Sequence, residues 1–401
     1  MKKSIQDLGD VQGKRALMRV DVNVPMDENK NVTDDTRVQA IIPTVKALKE
    51  KGAKIILMAH LGRPKGEWKV EEFSLEPVAK HMSKVLGEEV LFVKSPVGEG
   101  AEKELEALKD GQVALLENIR FYKAEEAKDD DMTFANELAK LGDFYVNDAF
   151  GAAHRNHTST SKLAKVLKPA VAGLLMEKEI RCLSEALDNP ARPFTAVVGG
   201  AKVSSKIGVL ENLIDKVDNL IIGGGMAYTF VKANGGKIGN SICEDDQMDV
   251  AKAIEKKAAD KGVKIIMATD VLAADDFSGK GTNKITPVNE IPDGFEGVDA
   301  GPETQKAFAE VIKSSKTILM NGPVGAFENP VFAEGTKAVL AAIVEATKAG
   351  AVSVIGGGDS VSAAKQFCNA EDFTHVSTGG GASLEFIEGK VLPGVAALDE
   401  V

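Results

Sequence analysis

The chain has 401 residues, of which 44% are hydrophobic and 27% are charged, and its formal net charge is −11. This length suits two compact domains, and the negative charge argues against a general nucleic-acid-binding protein, which needs a broad basic face. Three widely separated cysteines, Cys182, Cys243 and Cys368, argue against a disulfide framework or a zinc site.

The first residues and the hydrophobic profile carry no targeting signal. The stretch "MKKSIQDLGDVQGKRA" has lysines but no apolar run behind them, which is unlike a secretory signal. No window of the sequence approaches the apolar length needed to span a bilayer. We therefore expect a cytoplasmic protein.

Apolar, β-rich runs alternate with helical periodicity along the chain, from "KRALMRVDVNV" and "TRVQAIIPTVKALKEKG" to "SVIGGG" and "SVSAAKQF". Strand alternating with helix at this spacing indicates parallel sheets covered by helices. Between Pro169 and Pro190 the sequence predicts a helix of about four turns, which we interpret as an interdomain helix. The predicted fold class is α/β, with two doubly wound domains, each a parallel sheet flanked by helices, joined by that helix and a hinge.

Polar residues follow the predicted strands of the first half. In "RVDVNVP", residues 19–25, strand alternation gives one face of valines and one of Arg19, Asp21 and Asn23, a pattern that a solvated edge strand also has. Because the carboxyl ends of parallel strands lie along one ligand-binding edge, we expect such groups on one rim. Three further predicted strands end in His60 and Arg63, in Glu117, Asn118 and Arg120, and in Asn147, Asp148, His154 and Arg155.

The arginines are confined to the first half. All eight lie at or before Arg192, although the chain has 49 lysines and arginines together. Arginine is a planar, bidentate donor, so this distribution favours recognition of a carboxylate or phosphate, with chance as the alternative. A helix is predicted to begin near Asp35 or Thr36, which places Arg37 in its first turn. The macrodipole disfavours a cation there, so Arg37 suits an anionic ligand, although a solvated arginine remains possible.

After Pro193, glycines follow five strand-like runs: "FTAVVGGAKVSSK", "DNLIIGGGMAYTF", "KTILMNGPVGAFE", "VSVIGGGDSVSAA" and "HVSTGGGAS". Glycine lets backbone N–H groups approach an anion closely, and a helix that follows adds its N-terminal dipole. Any one of these turns could be purely structural. Together, the five predict a glycine-lined rim that holds phosphates.

The side chains on that rim have two interpretations each. A helix is predicted to begin near Asp359 or Ser360, and Asp359 is either its N-cap, a Mg²⁺ ligand beside phosphates, or both. Lys202 and Lys206 are four residues apart and would share a helical face directed at phosphates, or form a solvated pair. Glu328 could accept hydrogen bonds from ribose hydroxyls.

Nine segments, in order and across essentially the whole chain, resemble the signature segments of the phosphoglycerate kinases. They are "RVDVNVP", "HLGRP", "ENIRF", "DAFGAAHR", "GGAKVSSK", "GGGMAYTF", "NGPVGAFE", "GGGDS" and "STGGGAS". The resemblance implies reversible, Mg²⁺-dependent phosphoryl transfer from 1,3-bisphosphoglycerate to ADP, giving 3-phosphoglycerate and ATP. It further implies a monomer with small-molecule partners and with no nucleic-acid or membrane partner.

The resemblance also implies a division of labour. Residues 1–171 would bind 3-phosphoglycerate, with residues 391–401 packed back on them, and residues 172–390 would bind nucleotide. The implied substrate-binding residues are Asp21, Val22, Asn23, Arg37, His60, Leu61, Gly62, Arg63, Arg120 and Arg155. The implied nucleotide-binding residues are Lys202, Lys206, Gly297, Asn321, Glu328, Gly357, Gly358, Asp359 and Ser360, with Asp359 as the metal ligand. The implied catalytic residues are Arg37, Lys202, Lys206, Gly379 and Gly380.

The implied chemistry needs no general base, because the acceptor in the reverse direction is a carboxylate that is already ionised at neutral pH. We expect catalysis from in-line positioning and from neutralisation of the phosphoryl oxygens. Substrates held on two domains imply hinge closure, which also excludes water from the acyl phosphate.

Two other functions share parts of this pattern. A two-domain nicotinamide dehydrogenase also uses glycine turns on parallel sheets, but it needs a G-x-G-x-x-G loop with an acidic residue about twenty positions on, and "GGGMAYTF" lacks that spacing. A non-catalytic binding protein could keep the fold alone. The presence of Arg37, Lys202, Lys206 and Asp359 weighs against it.

Overall fold

The computed structural model describes all 401 residues, which form two compact units. Unit 1 comprises Met1–Ile180 and Val391–Val401, and unit 2 comprises Arg181–Lys390. The boundary lies inside the helix expected between Pro169 and Pro190, whereas the sequence-based boundary at 171/172 precedes that helix. No helix combines the length and the apolar composition that crossing a bilayer requires.

Unit 1 is built around one sheet of six strands. They are β1 (Arg15–Arg19), β2 (Lys54–Met58), β3 (Val90–Val93), β4 (Val113–Leu116), β5 (Phe144–Asn147) and β6 (Ala170–Ala172). Their order is β3-β4-β2-β1-β5-β6, and every neighbouring pair is parallel. The strands β2, β4 and β5 are buried on both faces, as expected for a parallel sheet covered by helices.

Seven α-helices follow in the first part of the chain. They are α1 (Thr36–Glu50), α2 (Val70–Phe73), α3 (Glu76–Leu86), α4 (Glu99–Leu105), α5 (Thr133–Ala139), α6 (Leu163–Val166) and α7 (Leu174–Asp188), the last of which continues into unit 2. The helix α1 buries Val38, Ile41 and Val45, which recur at the spacing of one helical face, in the core of unit 1.

The segment after β1 differs from the prediction. The strand ends at Arg19, and residues 20–25 pair with no strand, because the neighbours β2 and β5 also end opposite Arg19. The valines of this segment are still buried, while Asp21 and Asn23 are partly exposed. The alternation of burial was therefore predicted correctly from Val20 to Val24, but the strand was not, and Arg19, which was expected on the polar face, is fully buried.

Unit 2 has a second six-stranded parallel sheet and two small sheets. Its strands are β7 (Phe194–Val198), β8 (Asn219–Ile222), β9 (Lys237–Ile238), β10 (Lys264–Ile266), β11 (Asp270–Ala274), β12 (Asn283–Pro287), β13 (Glu290–Ile291), β14 (Glu296–Ala300), β15 (Thr317–Asn321), β16 (Val352–Gly356) and β17 (His375–Val376). The order in the large sheet is β10-β8-β7-β15-β16-β17, all parallel. The strands β12, β11 and β14 form an antiparallel sheet, and β13 pairs with β9.

Seven helices belong wholly to unit 2. They are α8 (Ile207–Ile214), α9 (Ala227–Ala233), α10 (Met248–Asp260), α11 (Pro302–Lys313), α12 (Glu334–Lys348), α13 (Gly358–Phe367) and α14 (Gly381–Ile387). Each unit is thus a parallel sheet with flanking helices, so the predicted fold class is confirmed.

The residues from Val391 onward return to unit 1 and include a short helix, α15 (Pro393–Ala396). Gly394 N donates to Ala153 O at 2.8 Å, and Lys3 N donates to Asp399 O at 2.8 Å. A Cβ on Gly394 would lie 2.9 Å from Ala153 Cα, so only glycine fits this close approach.

Candidate functional site

The four arginine-bearing segments of unit 1 follow four adjacent strands, β4, β2, β1 and β5. Their carboxyl ends therefore share one edge of the sheet, as predicted. Arg37 Nη1 donates to Asn23 O at 2.8 Å and to Asp21 Oδ1 at 3.3 Å. Gly62 N donates to Asn23 Oδ1 at 3.0 Å, and Arg120 Nη1 donates to Gly62 O at 3.1 Å. Hydrogen bonds thus link five of the implied substrate-binding residues.

Gly62 is required at the centre of this group. Its φ of +61° lies in the left-handed region, and a Cβ would lie 2.4 Å from the Phe73 ring. The neighbouring Leu61 is buried, as is Val22, so their side chains belong to the core and only their backbone could contact a ligand. Arg63 and Arg155 are exposed, and neither side chain hydrogen-bonds within the protein.

Two histidines lie among these arginines. The pKa of His60 is held well below its usual value, mainly by burial and then by Arg19 and Arg120. Burial, followed by Arg120 and Arg19, lowers the pKa of His157 to about 3. Both imidazoles are therefore neutral at pH 7, and the charge of this rim comes from the guanidinium groups.

Four other polar residues of the predicted rim turn inward. Glu117 accepts hydrogen bonds from Leu75 N and Asn118 N, and Asn118 Nδ2 donates to Leu61 O. Asn147 Nδ2 donates to a backbone carbonyl, and Asp148 Oδ1 accepts from two amides at the start of α7. These side chains hold loops and helix ends in place. The sequence did not separate them from the arginines that were expected to face a ligand, because both types follow a strand.

The structure also places residues beside His60 that were not among the implied substrate-binding residues. Arg19 and His157 lie with His60 in one electrostatic cluster, and the buried Glu125 lies beside Arg19. Arg19 carried a signal, because it belongs to the "RVDVNVP" segment. Glu125 carried none, because it stands several residues beyond the end of the predicted strand, in an acidic, polar stretch.

In unit 2, the five glycine turns follow five adjacent strands, β8, β7, β15, β16 and β17. The predicted glycine-lined rim is therefore one continuous edge of the large sheet. Asn321, at the end of β15, donates through Nδ2 to Gly356 O at 3.1 Å and accepts a short hydrogen bond from Lys206 Nζ. Ser360 Oγ, which is buried, accepts from Gly322 N at 2.5 Å and ties the helix α13 to the turn after β15.

The two lysines are arranged differently from the prediction. Lys202 has an extended backbone and precedes a 3₁₀ turn, Val203–Ser205, and Lys206 stands at the N-cap of α8. They consequently do not share a helical face. Lys202 is exposed, whereas Lys206 is half-buried, and burial lowers its pKa against the opposing effects of Asp359 and Glu388.

A cavity of about 310 Å³ opens beside this rim. Gly297, Glu328 and Asp359, three of the implied nucleotide-binding residues, line it together with Tyr228, Phe277 and Val324. A Cβ on Gly297 would lie 2.2 Å from Tyr228 Oη, so glycine is needed for this wall. The combination of aromatic and aliphatic walls with a few polar groups is typical of a cavity that binds a small molecule.

Asp359 is not the cap of α13. The helix begins at Gly358 and its N-cap is Gly357, so Asp359 lies within the first turn, and the N-cap interpretation is wrong. Gly357 has a φ of +95°, which explains why glycine precedes the helix. The Asp359 carboxylate is thereby left for another partner. Mg²⁺ commonly takes one or two carboxylates plus phosphate oxygens, and the Asp359 carboxylate, which lines the glycine-bordered cavity, fits that donor set.

The last glycine turn stands at the start of α14. Gly379 N donates to Ser377 Oγ at 3.1 Å, so this amide already has an intramolecular acceptor. Gly380 is the N-cap of α14 and has a φ of +50°. A Cβ on it would meet nothing within 4 Å, so the space beside the turn is open.

Comparison with known proteins points to one family. A family model described as "Phosphoglycerate kinase" matches residues 5–390. The phosphoglycerate kinase of Nostoc sp. is 50% identical over 401 residues, which cover 100% of this chain and 99% of that protein. The phosphoglycerate kinase of Synechococcus elongatus is 51% identical over 391 residues, which cover 98% and 96%.

Solved structures agree with these relatives. A phosphoglycerate kinase from Coxiella burnetii is 40% identical and has a TM-score of 0.91, with 99% of this chain and 98% of that chain covered. A phosphoglycerate kinase from Pyrococcus horikoshii is 32% identical and has a TM-score of 0.81, with the same coverage.

Proposed function

The chain belongs to the phosphoglycerate kinase family, and from this premise we propose how its two units divide the reaction. The reaction is the reversible transfer of a phosphoryl group from 1,3-bisphosphoglycerate to ADP, giving 3-phosphoglycerate and ATP. We assign glycerate binding to unit 1 and nucleotide binding to unit 2. One observation carries this assignment: the arginine cluster lies only at the sheet edge of unit 1, and the glycine turns with their cavity lie only in unit 2.

In unit 1, we assign the carboxylate and 3-phosphate of the glycerate to the arginine cluster. A small, doubly anionic ligand offers oxygens that planar guanidinium groups can bind in pairs. The hydrogen bonds among Asp21, Asn23, Arg37 and Gly62 support this, because they hold the Arg37 guanidinium at the edge of the cluster. His60 supplies a neutral imidazole, and Arg63, Arg120 and Arg155 complete the set.

In unit 2, we assign the purine to the cavity beside Gly297, the ribose to Glu328 and the phosphates to the glycine rim. Backbone amides at the start of α13 and the Lys206 ammonium both favour negative charge there. Lys202, Asn321, Gly357, Gly358 and Ser360 belong to the same proposed site. The bond from Lys206 to Asn321 supports a role in which the ammonium is aimed before nucleotide arrives.

We assign Mg²⁺ to the Asp359 carboxylate. When bound, the ion neutralises charge on the nucleotide phosphates. The remaining catalysis falls to the chain itself. Arg37, Lys202 and Lys206 offset charge on the moving phosphoryl group, and the turn at Gly379 and Gly380 presents backbone toward it. No residue has to remove a proton, because the acceptor carboxylate of 3-phosphoglycerate is already ionised.

We further propose that the protein acts as a cytoplasmic monomer with small-molecule partners only. Because the substrates are assigned to different units, in-line transfer requires a hinge motion that brings them together and excludes water. Light scattering during size-exclusion chromatography tests the oligomeric state, and a dimer would contradict the proposal. Cell fractionation tests the location.

Calorimetric titration of the full chain tests the division of labour. 3-Phosphoglycerate and Mg-ADP are titrated separately into the wild type, Arg155→Ala and Asp359→Asn. We expect Arg155→Ala to weaken only 3-phosphoglycerate binding and Asp359→Asn to weaken only Mg-ADP binding. If either variant lost both ligands equally while it remained folded, the assignment would be wrong.

A further inference from the structure

Beneath the arginine cluster of unit 1, a buried chain of polar side chains runs from Glu125 to His60. Arg19, Glu125 and Ser159 are each 0% exposed. They come from three distant parts of the sequence, the end of β1, a 3₁₀ turn after β4 and a π-helical turn at Thr158–Lys162. Their meeting is therefore a product of the tertiary fold.

Ser159 joins the two buried charges. Glu125 Oε1 accepts from Ser159 N and Glu125 Oε2 accepts from Ser159 Oγ, both at 2.6 Å. Arg19 Nε donates to the same Ser159 Oγ at 2.8 Å, and Arg19 Nη1 donates to Val20 O. Because the hydroxyl accepts from Arg19, its own proton is directed at Glu125. The serine thus bridges a buried ion pair in one fixed direction.

The other end of the guanidinium reaches His60. Arg19 Nη2 lies 3.0 Å from His60 Nδ1. A guanidinium has only donors, so Nδ1 must accept and must carry no proton. The ring proton of His60 is consequently on Nε2, and the imidazole is neutral. The lowered pKa of His60, caused by burial and by Arg19, agrees with this geometry.

The negative charge of Glu125 balances the positive charge of Arg19, which has no other buried carboxylate beside it. Arg120 and Arg155 add further positive charge close to Arg19. Glu126, whose side chain is 39% exposed, pairs with Arg120 and not with Arg19. Burial raises the pKa of Glu125 overall, and Arg19, followed by the two hydrogen bonds from Ser159, opposes that rise, so the ionised carboxylate depends on these two partners. Removal of one partner of such a pair leaves a buried charge uncompensated.

We propose that Glu125, acting through Ser159 and Arg19, is a positioning residue that fixes the His60 proton on Nε2, so that His60 offers an N–H to the anionic substrate. With the proton on Nδ1, the Nε2 atom of His60 would present a lone pair to the anionic substrate and could not donate a hydrogen bond to it. Glu125 itself touches no substrate. The proposal rests on the proposed function, in which His60 binds 3-phosphoglycerate.

Nitrogen NMR of the full chain labelled at histidine reads the proton position directly. We expect wild-type His60 to carry its proton on Nε2 alone, with the signal assigned by its loss in His60→Gln. Glu125→Gln and Ser159→Ala should shift His60 toward a mixture of tautomers. The matched control Glu126→Gln makes the same change one residue on and should leave the tautomer unaltered. A proton on Nδ1 in the wild type would overturn the proposal, even if no variant folded.

Kinetics separate this proposal from the proposed function. Because only the Nε2-protonated ring donates to the anion, KM for 3-phosphoglycerate in Glu125→Gln should rise about twofold for an equal mixture of tautomers and about tenfold for complete loss of the hydrogen bond, with KM for ATP unchanged. Ser159→Thr keeps the hydroxyl and should behave as the wild type, whereas Ser159→Ala should not. An unaltered tautomer in the folded Glu125→Gln variant would refute the positioning role. A shifted tautomer with an unchanged KM would refute the assignment of His60 to the substrate.

Discussion

The two units place different chemistry on the same structural element, the carboxyl edge of a parallel sheet. In unit 1, the edge carries long side chains whose charged groups are held by neighbours, as Arg37 is held by Asn23 and Asp21. In unit 2, the edge is mainly backbone, with glycine turns after five adjacent strands and one half-buried lysine. On the proposed assignment, side chains recognise the ligand at the rim of unit 1 and the backbone recognises it at the rim of unit 2.

The difference follows from the ligands assigned to the two rims. A small ligand with two anionic ends can be bound by several arginines at once, because each guanidinium reaches it from a different strand. A nucleotide carries its phosphates on a bulky base and sugar, and glycine allows the backbone to come close to them. Substitutions in unit 1 should therefore act through charge, and substitutions in unit 2 should act through space and conformation.

The largest effect is expected from loss of an arginine that acts in the transition state. Arg37→Ala should lower kcat by 10²–10³-fold, equivalent to about 3–4 kcal/mol, if Arg37 is a preorganised donor to the moving phosphoryl group. Steady-state kinetics with both substrates measure this. Arg15→Ala is the matched control, because Arg15 pairs with Asp143 at the opposite end of β1. A normal kcat with a raised KM would instead assign Arg37 to ground-state binding.

A smaller effect is expected in unit 2 from removal of the metal-binding charge. Asp359→Asn should weaken Mg-ADP binding by about tenfold to a hundredfold, since a charged interaction is worth about 1.5–3 kcal/mol. Calorimetry with and without Mg²⁺ measures the difference. Asp249→Asn, in the first turn of α10, is the control for the same change at a helix start. If binding of metal-free ADP fell just as much, Asp359 would not be a metal ligand.

A conformational effect should appear at Gly357, where the backbone is left-handed. Gly357→Ala should cost about 1–3 kcal/mol of local strain, and its Cβ would lie 2.9 Å from Asn321 Nδ2. Because Asn321 also binds Lys206, we expect KM for nucleotide to rise while KM for 3-phosphoglycerate is unchanged. Gly350→Ala has a similar φ of +105° with no atom nearby, so it tests strain without that contact. Equal kinetic effects in both variants would remove the special role of Gly357.

The smallest effect concerns a buried carboxylate under each rim. Burial raises the pKa of Asp148 to about 6 and that of Asp299 to about 7. A raised folded-state pKa means that the folded state holds a proton longer, so stability falls as pH rises through that pKa. Asp148→Asn removes this loss and should gain about 1 kcal/mol relative to the wild type between pH 5 and pH 8, measured by urea unfolding.

Asp299→Asn is the contrasting variant in unit 2. Only Oδ1 of Asp148 accepts the amides of α7, whereas both oxygens of Asp299 accept, from Ala300 N at 2.8 Å and from Gly335 N at 2.9 Å. An asparagine there must turn its NH₂ toward an N–H, which costs about 1–3 kcal/mol. We expect Asp299→Asn to be destabilised at both pH values. If Asp299→Asn instead gained unfolding free energy at pH 8, as Asp148→Asn is expected to, the second hydrogen bond to the Asp299 carboxylate would contribute little to stability.

Much of this arrangement was predictable from local sequence. The alternation of strand and helix predicts two parallel sheets, and the glycine turns and arginines were expected at strand ends, where they lie. Three features were not predictable, because they depend on contacts between distant residues. The strand at Arg19 stops where its neighbours stop, and the buried partner of Arg19 is 140 residues away. The antiparallel sheet of β12, β11 and β14 depends on a pairing between separate parts of the chain, in which Val271 lies opposite Ala300.

The pairing of the first and last residues has a consequence for biosynthesis. The backbone of Lys2 forms an isolated β-bridge with that of Glu400, and Asp399 makes hydrogen bonds to both Lys3 and Ala170. Unit 1 therefore needs the stretch Val391–Val401 for its complete structure. That stretch leaves the ribosome only after every residue of unit 2. Unit 1, although most of it is synthesised first, therefore cannot complete its structure until all of unit 2 has been synthesised.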